Sequence, residues 1–156
     1  MFNLKESFVS SLGRDLTFTE RTFIWDYLIS LKTNPLIGTG YDSFWLGNRV
    51  KHFWESGYGG IMEAHNGYLE IYLNLGIIGL FLLGGVVASA YSRIKEKLID
   101  DFANARFELA FLVIVLIYNF TESAFRQSSL MWYILLLLSV RYSNSTLTHH
   151  RVDITT

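Results

Sequence analysis

Apolar positions form three blocks in the second half of the chain, and the first block is the longest. No charged residue occurs from position 71 to position 92, a run of 22 residues. As a helix this run would be about 33 Å long, enough to cross a bilayer core of roughly 30 Å. Shorter apolar runs follow at residues 109–120, extending towards 125, and at residues 128–140. The pattern predicts an all-α fold, a polytopic helical membrane protein fragment with about three transmembrane helices over residues 71–142.

The first 70 residues are more polar and predict short helices and loops. Residues 17–20 match a capping box, with a hydroxyl at the cap and a carboxylate three residues later. The helix that follows is amphipathic, with three apolar residues on one face: Ile24, Leu28 and Leu31. It should end near Asn34, because Pro35 disfavours a helical conformation in the residue before it. A glycine-bent loop then covers residues 36–42.

A polar stripe leads into the first apolar block. If Asn66 opens a helix, Asn66, Glu70 and Asn74 lie at positions i, i+4 and i+8 and share one face. Such a stripe would be expensive against lipid, so we expect it to face protein or water. A structural interpretation stays open, in which Asn66 is an ordinary N-cap and His65 is an interfacial histidine.

The charges predict the topology. Four basic residues lie shortly after the first apolar block, Arg93, Lys95, Lys97 and Arg106, and by the positive-inside rule this segment is cytoplasmic. Residues 1–70 and the loop at 122–127 would then be extracytoplasmic, and residues 143–156 would form a polar cytoplasmic tail. Because the chain starts without the apolar core of a signal peptide, we expect it to be the C-terminal part of a longer polytopic protein.

Composition narrows the chemistry. The net charge is −1 at pH 7, which argues against a nucleic-acid partner. Because there is no cysteine, disulfides and thiolate metal sites are excluded. Two of the four histidines lie in the tail, which leaves His52 and His65 for chemistry. No metal-ligand spacing occurs, so we expect no metal site.

A second polar group lies after the second apolar run. Asn119, Glu122 and Arg126 would share a helix face at i, i+3 and i+7, with Glu122 and Arg126 as an i, i+4 ion pair. This pair is either a structural contact at a membrane edge or part of a substrate site together with Glu70. Arg14 and Arg21 could clamp an anion, or be two solvated arginines.

Three motifs in order resemble the C-terminal half of the O-antigen ligase/polymerase family of bacterial membrane proteins. The first is SLGR at residues 11–14, followed by ERTFIW at 20–25. The second is NPLIGTGYDSF at 34–44, and the third is AHNGYLEIYLNLGIIG at 64–79. The resemblance covers roughly residues 10–90, and the two later apolar runs fit it by position alone.

The resemblance implies a site and a substrate. Family members transfer or polymerise glycans carried on undecaprenyl diphosphate in the bacterial inner membrane, at its periplasmic or outer face, without a metal, nucleotide donor or other cofactor. The acceptor is a glycan or a lipid such as lipid A core. The family's catalytic arginine and histidine correspond to Arg21 and His65, and Arg14 and Asn66 match accompanying positions. Members have about ten or more membrane helices, whereas this chain offers three.

Two other hypotheses about the function remain open on the sequence alone. One is a protein O-oligosaccharyltransferase, whose acceptor is a protein. The other is a non-catalytic membrane protein or a degenerate remnant of an enzyme.

Overall fold

A computed structural model describes residues 21–126 and 128–140, and every structural statement concerns these ranges. Helices make up most of them, and within them the only strand-like feature is an isolated bridge between Asn34 and Gly38. The helices are α1 (Arg21–Ser30), α2 (Asn48–Phe53), α3 (Gly67–Asp100), α4 (Phe102–Thr121) and α5 (Leu130–Ser139). A π-helical turn, Trp54–Tyr58, continues α2. The predicted all-α fold is confirmed. The capping box at 17–20, Arg14 and the tail at 143–156 lie outside the described residues.

Helices α3 and α4 are long and apolar enough to cross a membrane, with mean hydropathies of 2.2 and 1.5, and α5 is a shorter apolar helix. They correspond to the three apolar blocks of the sequence. The three helices pack around one apolar cluster, in which the fully buried residues are Ala90, Ile94, Val115 and Leu135. The second apolar run forms a helix that stops at Thr121 and does not reach residue 125.

Ion pairs join α3 to α4 at the end remote from Gly67, and a hydrogen bond joins α5 to them. The Glu108 carboxylate accepts hydrogen bonds from Arg93 and from Lys97 Nζ, the latter at 2.7 Å. Arg93 Nε also donates to the Leu138 carbonyl at 2.6 Å, near the C-terminus of α5. This satisfies a carbonyl that the helix itself leaves without a partner.

A single residue, Asp101, separates α3 from α4 and is the N-cap of α4. Asp101 accepts hydrogen bonds from the side chain and backbone N–H of Asn104 at 2.7 and 3.3 Å. These bonds favour the charged carboxylate and lower the pKa of Asp101 from its ordinary value.

Helix α3 is broken at Gly76, whereas the sequence predicts one continuous helix over residues 71–92. Gly76 has φ 64° and ψ −159°, which lies outside the helical region. The loop at residues 34–40 lies against the break and supplies new partners for the freed backbone groups. Four backbone hydrogen bonds do this: Thr39 N to Leu73 O (3.2 Å), Gly40 N to Asn74 O (2.9 Å), Ile77 N to Pro35 O (2.9 Å) and Ile78 N to Leu36 O (3.1 Å).

Glycine is required on both sides of this contact. A Cβ atom on Gly38 would lie 2.4 Å from the backbone carbon of Asn74, and one on Gly76 would lie 2.4 Å from that of Leu36. Both residues also have positive φ, which glycine adopts without steric cost. The loop and the broken helix therefore fit together only as bare backbone.

The segment before α3 packs around its own apolar core. Ile24 and Leu28 of α1 are buried there, as their spacing predicts, and Leu31 is partly buried beside them. Loop and α2 residues complete the cluster with α3: Phe44, Trp45, Val50, Phe53, Ala64 and Leu73. This core holds α1 against the beginning of α3.

The predicted helical face of Asn119, Glu122 and Arg126 is wrong. Helix α4 ends at Thr121, and Glu122 has an extended backbone, with φ −141° and ψ 148°. The Glu122 carbonyl leaves the helical direction and accepts a hydrogen bond from Gly67 N at 3.1 Å. The predicted i, i+4 pair is replaced by two others, in which Glu122 contacts Arg21 and Arg126 contacts Glu63.

Candidate functional site

Asn66 is the N-cap of α3, which agrees with the structural interpretation that the sequence left open for it. Its side-chain oxygen accepts hydrogen bonds from Tyr68 N and Leu69 N, both at 3.0 Å, and so satisfies two N–H groups that the helix leaves free. Its own N–H donates to Ser123 Oγ at 3.2 Å. With the bond from Gly67 to Glu122, these contacts fix the start of α3 against the segment that follows α4.

His65 lies directly before this cap in a left-handed backbone conformation, with φ 50°. Such a conformation is uncommon for residues other than glycine and persists where the surrounding structure imposes it. The side chain is 32% exposed, and its Nδ1 atom lies 3.3 Å from Glu63 Oε1 and 3.7 Å from Glu122 Oε2. Nδ1 is enclosed, yet it makes no hydrogen bond within the described part of the chain.

Two arginines contact the same two carboxylates. Arg21 donates to the Thr121 carbonyl and, at 3.3 Å, to Glu122 Oε1. Arg126 Nη1 lies 3.7 Å from Glu63 Oε2. The contacts link basic and acidic side chains in alternation, Arg21–Glu122–His65–Glu63–Arg126, and we call these five residues the charged cluster.

Three members of the charged cluster, Glu63, Glu122 and Arg126, line an open cavity of about 480 Å³. This volume lies within the range of about 300–1,000 Å³ that is usual for small-molecule sites. Charged, hydroxyl and apolar side chains share its wall: Glu63, Glu122, Arg126, Tyr118, Ser123, Ser128, Ser129, Leu130 and Met131. The cavity therefore offers charged, hydroxyl and apolar groups to a ligand.

The polar stripe faces protein, as predicted. Asn66, Glu70 and Asn74 are all buried. The Glu70 carboxylate accepts hydrogen bonds from Trp45 Nε1, from Ala64 N at 3.0 Å and from Asn74 Nδ2 at 3.2 Å. Glu70 thereby holds the backbone immediately before His65, and it also borders a smaller cavity of about 100 Å³ beside Arg126.

One group of potential metal ligands occurs among the described residues. Single ligand atoms of Glu63, His65 and Glu122 lie within 4.8 Å of one another. Arg21 and Arg126 contact the same carboxylates, however, and already supply positive charge at this position. The donor atoms by themselves would accommodate a divalent cation, while the guanidinium groups compete with it.

Four of the predicted site residues meet in the charged cluster, namely Arg21, His65, Glu122 and Arg126. Asn66 follows His65 directly in the chain, and Glu70 accepts a hydrogen bond from Ala64 N, directly before His65. Arg14 is outside the described residues. His52 lies elsewhere, in an exposed contact with Glu55.

Sequence reasoning missed Glu63. The signal available for it was its position two residues before His65, which by itself does not indicate a contact.

Comparisons with known proteins match the first part of the chain. A family model described as O-Antigen ligase matches residues 1–84. The exopolysaccharide production protein ExoQ of Rhizobium meliloti (strain 1021) is 33% identical over 100 residues. The match covers 60% of this chain and 23% of that relative, so the chain spans about a quarter of the relative's length. No solved structure matches. Residues 1–84 include Arg21, Glu63 and His65, whereas Glu122 and Arg126 lie beyond them.

Proposed function

This chain belongs to the O-antigen ligase family of bacterial membrane proteins, and we propose that it transfers or polymerises a glycan carried on undecaprenyl diphosphate. The name of the relative, an exopolysaccharide production protein, supports a role in surface polysaccharide synthesis. The acceptor would be a glycan or a lipid. Because the chain spans only part of that relative, the remainder of the donor groove would come from other membrane helices.

The meeting of Arg21, His65 and Arg126 in the charged cluster, which reaches the cavity through Arg126 and the two glutamates, carries this proposal. The three residues come from α1, from the loop before α3 and from the segment after α4. Guanidinium groups bind phosphate oxygens through paired, charge-assisted hydrogen bonds. Two of them beside a histidine suit a diphosphate leaving group next to a general base.

The reaction assigns a role to each residue. The acceptor oxygen forms a bond to the anomeric carbon, and the bond from that carbon to the diphosphate oxygen breaks. His65 takes the acceptor proton, and the departing electron pair stays on the diphosphate, where Arg21 and Arg126 stabilise the charge. Arg14 and Asn66 would complete the donor site, with Glu70 and Glu122 binding or orienting substrate around it.

The location follows from the same proposal. We place the chain in the bacterial inner membrane as a multi-pass protein, with the charged cluster on the periplasmic or outer side. Residues 1–70 would be extracytoplasmic, residues 71–142 would span the membrane, and residues 143–156 would be cytoplasmic. The basic residues after the first apolar block support this orientation.

The test is a transfer assay in membranes that contain the complete protein. It supplies a purified undecaprenyl-diphosphate-linked oligosaccharide and an acceptor. We expect one lipid diphosphate released for each glycan transferred, with longer glycans indicating polymerisation and acceptor-linked glycans indicating ligation. His65→Ala should lower turnover by about 10²–10⁴-fold.

His52→Ala is the matched control, because His52 also contacts a glutamate, at 3.3 Å, but is 73% exposed and outside the charged cluster. It should retain wild-type turnover. An intact donor after incubation with wild-type membranes would contradict the proposed function.

A further inference from the structure

We propose that Glu63 is a positioning residue of this site: it holds His65 through Nδ1, and it occupies Arg126 until the donor diphosphate takes its place. The proposal rests on the proposed function. It concerns a residue that neither the motif spacing nor the comparisons assign a role.

The first observation is the position of the imidazole ring. Nδ1 is the enclosed nitrogen, and its nearest carboxylate oxygen, Glu63 Oε1, lies 3.3 Å away at ion-pair distance, without a hydrogen bond between them. The other nitrogen, Nε2, is therefore the one available to an acceptor hydroxyl. When Nε2 takes the acceptor proton, Nδ1 keeps its hydrogen and the ring becomes positive. A carboxylate at Nδ1 fixes the tautomer and stabilises that charge.

The second observation is that Glu63 uses both of its oxygens. Oε1 faces His65, while Oε2 lies 3.7 Å from Arg126 Nη1. A diphosphate offers the guanidinium more oxygens and more charge than one carboxylate does. Entry of the donor would therefore move Arg126 from Glu63 to phosphate. Glu63 would then be left to stabilise the positive ring that His65 becomes when it takes the acceptor proton, which links donor binding to the base.

Glu122 has a similar position but does not fit this role as well. Its carboxylate makes a hydrogen bond to Arg21 at 3.3 Å and lies 3.7 Å from His65 Nδ1. Glu63 shows the opposite order, since it is closer to His65, and its contact with Arg126 is an ion pair without a hydrogen bond. The weaker arginine contact is the one that a substrate can exchange more easily.

The experiment measures kcat and the KM for the donor separately in the transfer assay. Glu63→Gln keeps the shape of the side chain and removes its charge. We expect kcat to fall by about 10- to 100-fold, within the range of general-base effects. We expect KM to fall about threefold, the size that the loss of one partly exposed ion pair gives, because Arg126 no longer has a competing carboxylate. Glu63→Asp, which keeps the charge, should recover part of kcat.

Two further variants separate positioning from general damage. Glu55→Gln removes the carboxylate of the exposed His52–Glu55 contact and should leave both constants at the wild-type value. The double variant Glu63→Gln/Arg126→Gln should lose the fall in KM, because the arginine that Glu63 occupies is gone. The membrane abundance of each variant is also measured, so that the kinetic constants are compared at equal amounts of protein.

The outcomes are distinguishable. A wild-type kcat in Glu63→Gln, or a KM that rises as kcat falls, would overturn the positioning role while the transfer reaction still stands. No donor consumption by the wild-type protein would overturn the proposed function, and this inference with it. A low kcat with a low KM supports the proposal.

Discussion

His65 and Asn66 are adjacent, yet their side chains are held in opposite ways. The side-chain oxygen of Asn66 caps α3, while its backbone N–H binds Ser123 in the segment after α4. The imidazole of His65 makes no hydrogen bond at Nδ1 to any residue that the structure describes, and it is partly exposed. The cap fixes the backbone so that the neighbouring ring meets two carboxylates. A rigid cap therefore positions a side chain that remains available for chemistry.

Arg21 gives a prediction at the same scale. Its guanidinium spans two partners, the Thr121 carbonyl and Glu122 Oε1, and a planar fork of donors can span two phosphate oxygens in the same way. Arg21→Lys keeps the charge but loses the fork, so we expect it to lower donor turnover nearly as much as Arg21→Ala. Turnover is measured at equal membrane abundance, and a fully active Arg21→Lys would reduce Arg21 to a point charge.

Local sequence patterns predict the features that depend on neighbouring residues. Three features each follow from residue spacing within a single helix: the cap at Asn66 and the buried stripe with Glu70 and Asn74 in α3, and the apolar face of α1. The pair of Glu122 with Arg126 was predicted in the same way and is wrong, because a contact with distant Gly67 draws Glu122 out of the helix. The role of Glu63 likewise depends on a contact with Arg126, which lies far away in the sequence.

At the scale of the element, the break in α3 is the main feature that spacing does not predict. The apolar run continues through Gly76 without interruption, so its composition indicates an unbroken helix. The break depends on the loop at residues 34–40, whose backbone replaces the lost helical hydrogen bonds. The sequence does contain the two glycines that the contact requires, Gly38 and Gly76, but it does not indicate that they meet.

Gly76→Ala tests this arrangement. Alanine at φ 64° is strained, at a cost of about 1–3 kcal/mol, and its Cβ would meet the Leu36 backbone. We expect a lower apparent Tm in detergent and loss of turnover. Gly84→Ala is the matched control, because a Cβ there meets nothing within 4 Å. It should leave Tm unchanged or raise it slightly, and a wild-type Tm in Gly76→Ala would contradict the tight loop contact.

At the scale of the whole molecule, two groups of paired charges in the described part of the chain lie near opposite ends of α3. The charged cluster lies at the start of α3, and the group of Arg93, Lys97 and Glu108 joins the membrane helices at their other end. If α3 spans the bilayer, these groups face opposite sides of it. The orientation then decides whether the charged cluster can meet a donor that is presented on the outer face.

Single cysteine substitutions test this orientation, because this chain contains no cysteine of its own. Gly59→Cys lies in the exposed loop before the charged cluster, and Lys95→Cys is exposed near the other group. In intact cells, an impermeant thiol reagent should label Gly59→Cys and not Lys95→Cys. After the cells are opened, both should react. The reverse pattern in intact cells would place His65 on the cytoplasmic side.

The general-base role of His65 is the central claim, and His65→Gln tests it most directly. Glutamine keeps a hydrogen-bonding side chain of similar reach but cannot take and hold the acceptor proton. The measurement is kcat with purified donor and acceptor, at equal membrane abundance of the wild type, His65→Ala and His65→Gln. We expect His65→Gln to be as slow as His65→Ala, both reduced by about 10²–10⁴-fold. A near-wild-type kcat in His65→Gln would contradict proton transfer to His65 and leave it a role in binding.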